Sequence, residues 1–193
     1  WDELKRFEKL SDKERSIVIY VENEFYYIYL KSIMDELSKN YSTNICYVTS
    51  SKSDPLLKND NHNIKSFYIG NGTIRTKFFL NLRAQVLVMT MPDLQTFHIK
   101  RSKVKDVNYV YVFHSMVSTH LVYRKDAFDN FNTMLCVGNY QINEIQEREL
   151  KNNLDNKKLI KCGYPRLDEL ILEYNDFLKL NKNELVENQI LIA

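Results

Sequence analysis

The sequence predicts a doubly wound α/β fold built on a mostly parallel sheet. Strand-like and helix-like segments alternate along all 193 residues, and the strand-like runs are continuously apolar rather than alternating. Unbroken apolar runs mark strands buried on both faces of a parallel sheet. Repeated β–α–β order then calls for right-handed crossovers that place helices on both sides of it.

Residues 1–16 read as a charged amphipathic helix with Leu4, Phe7 and Leu10 at three-residue spacing. It is a surface helix packed on the domain, a helix lying on a membrane surface, or the tail of an upstream segment. Ile17 to Val21 is the first strand, and Glu24 to Tyr41 carries helical periodicity through Phe25, Ile28, Tyr29, Ile33, Met34 and Leu37. Asn44 to Thr49 is the second strand. A polar loop from Ser50 to Asn63 leads to a third strand, Ile64 to Ile69, which ends in the turn Gly70-Asn71-Gly72. Thr73 is positioned as an N-cap for a helix ending near Leu82. Ala84 to Met91 is the fourth strand, closed by Pro92, and His98 to Lys105 is a basic connector. Tyr109 to Phe113 is the fifth strand, Thr133 to Val137 the sixth and Leu159 to Cys162 the seventh. Helices follow the last two, from Gly138 to about Asn153 and from about Leu167 to Leu180.

Composition narrows the function classes. A net charge of +2 lacks the concentrated basic face that nucleic acid requires, so nucleic acid is not expected as a partner. Cys46, Cys136 and Cys162 are odd in number, far apart and set in apolar runs, which reads as three reduced core thiols of an intracellular protein. No CxxC or HxxxH spacing is present, and no residue is singled out as a metal ligand. No segment reaches the ~18 consecutive apolar residues of a membrane span. Walker, GxGxxG, GxSxG and HExxH motifs are all missing.

Two strings carry the chemistry. In the first, His114 stands where the Tyr109–Phe113 strand exits. Ligands of open α/β sheets bind outside the carboxyl ends of the strands, so this histidine is either a site residue or a satisfied structural one. Ser115, Ser118, Thr119, His120, Tyr123, Arg124 and Lys125 follow it and together suit a phosphate-bearing ligand. In the second, Gly163-Tyr164-Pro165-Arg166-Leu167-Asp168 forms a rigid turn after a strand. Asp168 caps the next helix or pairs with Arg166, or Arg166 reaches an anionic ligand. Gly70-Asn71-Gly72 is a plain turn or a phosphate cradle at a helix N-terminus. Lys100, Arg101, Lys103 and Lys105 are a solvated loop or face acidic headgroups or a polyanion.

VFHSMVSTHLVYRKDAFDNFNTMLCVGNYQINEI and CGYPRLDEL together resemble the CDP-glycerol glycerophosphotransferase family of teichoic-acid and capsule polymer biosynthesis. The resemblance covers roughly Tyr109 to Leu170, with the preceding half similar only in pattern. It implies a GT-B architecture of two Rossmann-like domains around a cleft. Residues 17–188 would form the N-terminal, acceptor-side domain after the helix at 1–16, and QILIA at 189–193 would be the first strand of a C-terminal donor domain. The chain would then be an excised piece of a longer protein.

The resemblance further implies that His114 is the base deprotonating the acceptor hydroxyl, with Ser115 standing where the family usually has glycine. Ser115, His120, Arg124, Lys125, Arg166 and Asp168 are the expected substrate-binding residues, the last two matching a GxPRxD string with Gly163 and Pro165. A CDP-polyol would be the donor co-substrate with no other cofactor. The acceptor would be a lipid-linked primer or growing polymer, reached from the cytoplasm at the inner face of the membrane. The alternatives are a GT-B enzyme acting on nucleotide sugars, as a glycosyltransferase or epimerase, and a non-catalytic module binding an anionic cell-surface polymer.

Overall fold

A computed structural model describes residues 1–96 and 98–180. The expected strand at 189–193 lies outside the described residues.

Seven strands form one all-parallel sheet in the order β3-β2-β1-β4-β5-β6-β7. They are β1 (Ile17–Val21), β2 (Ile45–Thr49), β3 (Ile64–Tyr68), β4 (Val86–Met89), β5 (Asn108–Val112), β6 (Thr133–Cys136) and β7 (Lys158–Lys161). Chain order runs outward from β1 to β3, then returns to β4 and runs outward the other way. The predicted doubly wound, Rossmann-like α/β fold is the observed one.

Side chains along each strand project to alternate faces, and the inner strands are apolar at most positions because both of their faces are covered, whereas the edge strands β3 and β7 carry Lys65, Ser66, Lys158 and Lys161. In β1, Val18 and Tyr20 enter one core while Ile19 and Val21 enter the other. The first core also receives Leu4 and Phe7 from α1 (Asp2–Glu8), Phe78 and Phe79 from α3 (Thr73–Leu80), and Ile145 from α4 (Asn139–Asn152). The second receives Leu30 and Met34 from α2 (Tyr27–Asp35). Aromatic rings knit the first core by edge-to-face contact: Phe7 meets Phe67 at 5.4 Å and Phe78 at 5.3 Å between centroids. Such pairs contribute about 0.5–1.5 kcal/mol each beyond their burial.

Several elements differ from the sequence reading, each for a local reason. The first helix ends at Glu8 rather than Ser16. Ser11 and Glu14 form a reciprocal box there, with the Ser11 N–H donating to Glu14 at 2.9 Å and the Glu14 N–H to Ser11 at 3.3 Å, which starts a separate turn. The helix expected over Glu24–Tyr41 is three pieces: a 3₁₀ turn at Glu24–Tyr26, then α2, then a π turn at Glu36–Asn40. The Asn23 side chain accepts from the Phe25 N–H and fixes the opening turn. Thr73 is the first residue of α3 and not its cap; Gly72, at φ 73°, occupies the cap position in a conformation that a side chain would strain. Cys162 is exposed because β7 is an edge strand, whereas Cys46 and Cys136 are buried, and all three are unbridged. Burial pushes both buried thiols up to about 12.

Residues from Tyr164 onward form a second compact unit. Its helix α5 (Pro165–Leu180) starts two residues earlier than expected, with Pro165 at the first helical position, where a missing N–H costs nothing. Among the described residues, no helix is long and apolar enough to cross a membrane.

Leu87 of β4 is fully buried beside β1, where the winding reverses. Leu87→Ala should cost about 2–5 kcal/mol in denaturant unfolding. A loss under 1 kcal/mol would show that this part of the sheet is not tightly packed.

Candidate functional site

A parallel sheet delivers every strand's carboxyl end to the same edge, and the reversal between β1 and β4 opens a crevice there. His114 lies at that edge, two residues past the end of β5. The Tyr26 and Tyr29 rings approach it from the segment after β1, at 5.3 and 5.9 Å between centroids, and Tyr123 approaches at 6.4 Å. The backbone of Thr90, just past β4, hydrogen-bonds it. Three neighbouring strand exits, β1, β4 and β5, therefore converge on one half-buried imidazole.

The electrostatics follow from that enclosure. Burial disfavours the charged ring and lowers the His114 pKa, and the Thr90 hydrogen bond only partly opposes this. At neutral pH the ring is in the form that accepts a proton. Ser115 shares a hydrogen bond of 3.3 Å with the hydroxyl of Tyr123, whose ring faces the imidazole. Tyr123 also lies beside Tyr111, whose hydroxyl burial pushes well above the ordinary phenol range, so it stays protonated.

The remaining candidates divide among different places. His120 contacts the Glu144 carbonyl of α4 at 2.9 Å, and with Lys125 it lines a cleft of about 410 Å³ against α4. Glu144 accepts from the Thr119 N–H and hydroxyl, each at 2.6 Å, tying the turn to the helix. Burial works to raise the Glu144 pKa, but these bonds and Ser118 outweigh it and hold the carboxyl below its usual value. In the same cleft Lys157 and Glu149 form a pair at 3.4 Å with side chains only 4% and 5% exposed. Arg148 grips Asp129 through two bonds of 2.7 and 2.6 Å.

Arg124 is held by Asp93 and Asp126, both at 3.0 Å, so its charge orders the loop. Arg166 pairs with Glu169 at 3.1 Å and Glu173 at 3.2 Å, one and two helical turns along α5, and not with Asp168. Asp168 is exposed in the first turn of α5, where a negative charge suits the helix dipole, and it is not the cap. The basic connector is also largely engaged. Lys100 donates to the Gln95 carbonyl at 2.8 Å, Lys105 pairs with Asp12 at 3.6 Å, and Arg101 stacks over Tyr109 at 4.6 Å. Arg101 further donates to the Asn130 carbonyl at 2.7 Å and the Asn132 side chain at 2.9 Å.

Sequence reasoning missed Tyr26 and Tyr29, which it read as part of an amphipathic helix. Their signal was present: two tyrosines three residues apart share one helical face, directly after a strand exit. Among the described residues, no group of three or more His, Cys, Asp or Glu side chains could hold a metal ion. No family model matches the chain, and no curated protein is significantly similar to it.

An NMR titration of the His114 ring should give a pKa below the free value of 6.5, and Tyr26→Ala, by admitting water, should raise it back. A wild-type value at or above 6.5 would contradict the enclosure described. The stability sign follows: with the folded-state pKa lowered, the contribution of this group is full above the unfolded value and is lost as pH falls through the folded one. His114→Gln should flatten that part of the pH–stability curve.

Proposed function

We propose that this chain supplies the acceptor side of a phosphotransferase. The enzyme moves glycerol phosphate, or a related polyol phosphate, from a CDP-activated donor to a hydroxyl of a teichoic-acid-like or capsular polymer or lipid-linked primer. The observation that carries the reading is the half-buried His114 with its lowered pKa at the sheet's carboxyl edge, where β1, β4 and β5 exit. The sequence resemblance over Tyr109–Leu170 supplies the substrate class.

In this reading the acceptor oxygen attacks the polyol-bearing phosphorus and His114 takes the hydroxyl proton. A new P–O bond forms, the bond to the CMP oxygen breaks, and CMP leaves with the electron pair. A base whose pKa lies near or below neutrality suits that step, because it is unprotonated when the acceptor arrives. The tyrosine walls keep the imidazole partly dry and fix its direction, which is the positioning contribution to rate. Arg124 stays with its two aspartates and orders the loop that follows His114. The donor diphosphate is assigned to a second, C-terminal domain, with the enzyme working from the cytoplasm at the membrane's inner face.

Full-length protein incubated with CDP-glycerol and a polyol-phosphate or lipid-linked acceptor should release CMP. His114→Gln should lower that rate by about 10²–10⁴-fold with the fold retained. The acid limb of the wild-type pH–rate profile should fall below 6.5, following the lowered His114 pKa. Undiminished turnover in His114→Gln, or turnover of nucleotide sugars in place of CDP-polyols, would overturn the proposal.

A further inference from the structure

A second cleft opens on the same sheet edge, beside His114 and separate from the cleft against α4. It encloses about 440 Å³ and is lined by Glu22, Asn23, Phe25, Tyr26 and Asn71. That size lies within the roughly 300–1,000 Å³ of small-molecule sites. Glu22 and Asn23 follow β1, and Asn71 follows β3, so the cleft spans two strand exits across β2. The exits of β2 and β3 are tied together next to it: Ser50 donates to the Gly70 carbonyl at 2.8 Å and contacts the Tyr20 hydroxyl at 2.8 Å.

One feature of the lining is unexplained by folding. Phe25 is 74% exposed although it sits in an ordered turn, and folding gains little from a phenyl ring left in water. Tyr26, adjacent to it, lines this cleft and also packs its ring edge-on against His114 at 5.3 Å. Tyr26 thereby stands between the cleft and His114, in contact with both.

The chemistry of the lining selects the ligand. Aromatic rings offer flat apolar faces, and the carboxylate and side-chain amides offer hydrogen-bonding groups with no positive charge among them. Arg75 is not among the lining residues and is engaged with the wall, donating to the Asn71 side-chain oxygen at 3.1 Å. A nucleotide or phosphorylated polyol brings negative charge that Glu22 repels and that no lining residue neutralises. A sugar ring matches: its C–H face stacks on aromatics while its hydroxyls bond to carboxylate and amide groups.

We infer that this cleft binds a neutral saccharide ring, with Phe25 and Tyr26 as platforms and Glu22 and Asn71 as hydroxyl partners. That this saccharide is the terminal unit of the acceptor rests on the phosphotransfer reading; the binding itself does not.

The test is ligand-observed NMR and titration of the full-length protein with cellobiose and N,N′-diacetylchitobiose, against CMP and glycerol 3-phosphate as anionic probes. At least one disaccharide should bind. Phe25→Ala and Glu22→Gln, both at exposed positions that folding does not depend on, should each weaken it about fivefold or more. His114→Gln should leave its Kd unchanged. The inference fails if neither disaccharide binds or if binding ignores both substitutions. It fails equally if CMP or glycerol 3-phosphate binds in a Phe25-dependent way. Saccharide binding without CMP release from any CDP-polyol would leave the cleft standing and remove the phosphotransfer reading alone.

Discussion

Parallel pairing of all seven strands is the constraint from which the rest of this molecule follows. Once neighbouring strands run the same way, each must be left at its carboxyl end and re-entered at the opposite edge. Every strand exit therefore gathers on one side, and every connection must cross a face and cover it. Apolar residues on both faces of the inner strands are the direct result, since Ile19 and Tyr20 face different cores yet are both fully buried. The reversal of winding between β1 and β4 splits the exits in two directions. The imidazole of His114 and the tyrosines that enclose it occupy the space so created.

Charge is distributed in a way that separates structure from chemistry. Positive side chains that look available in the sequence are engaged in the fold: Arg101 by the backbone and Tyr109, Arg124 by two aspartates, Arg148 by Asp129. Exposed pairs such as those of Arg124 contribute little to stability, but they fix where a loop lies. The Lys157–Glu149 pair is different, because both side chains are buried and removing either would strand the other's charge. Uncharged groups, by contrast, surround His114: Tyr26, Tyr29, Tyr123 and Ser115. A neutral, half-dry setting suits the proton-accepting role proposed for this group, and under that proposal phosphate charge is met elsewhere.

Much of the fold was legible because its signals are local. Unbroken apolar runs marked the inner strands and the parallel arrangement, and His114 was placed at a strand exit from Tyr109–Phe113 alone. What was not legible depended on side chains meeting across the chain. Helix 1 was read too long because periodicity continues through Leu10, while the Ser11–Glu14 box that starts a new turn is a competing local bond. A pair between Arg166 and Asp168 was one of the readings left open, and Arg166 instead bonds Glu169 and Glu173, because side chains three and seven residues along share its helix face and one two residues along does not.

By itself, then, the sequence determined the α/β class, the winding into a parallel sheet, the covalent order of the strand exits and the position of His114 at one of them. These follow from periodicity and from steric rules that act within a few residues. Only the tertiary structure decided which exits are neighbours. It brought Tyr26 and Tyr29 from the far side of β1 to His114, placed His120 and Lys125 against α4, and joined Glu22, Phe25 and Asn71 around one cleft. The physical reason is that strand adjacency is set by how whole apolar faces pack, a sum over dozens of contacts that no single segment encodes.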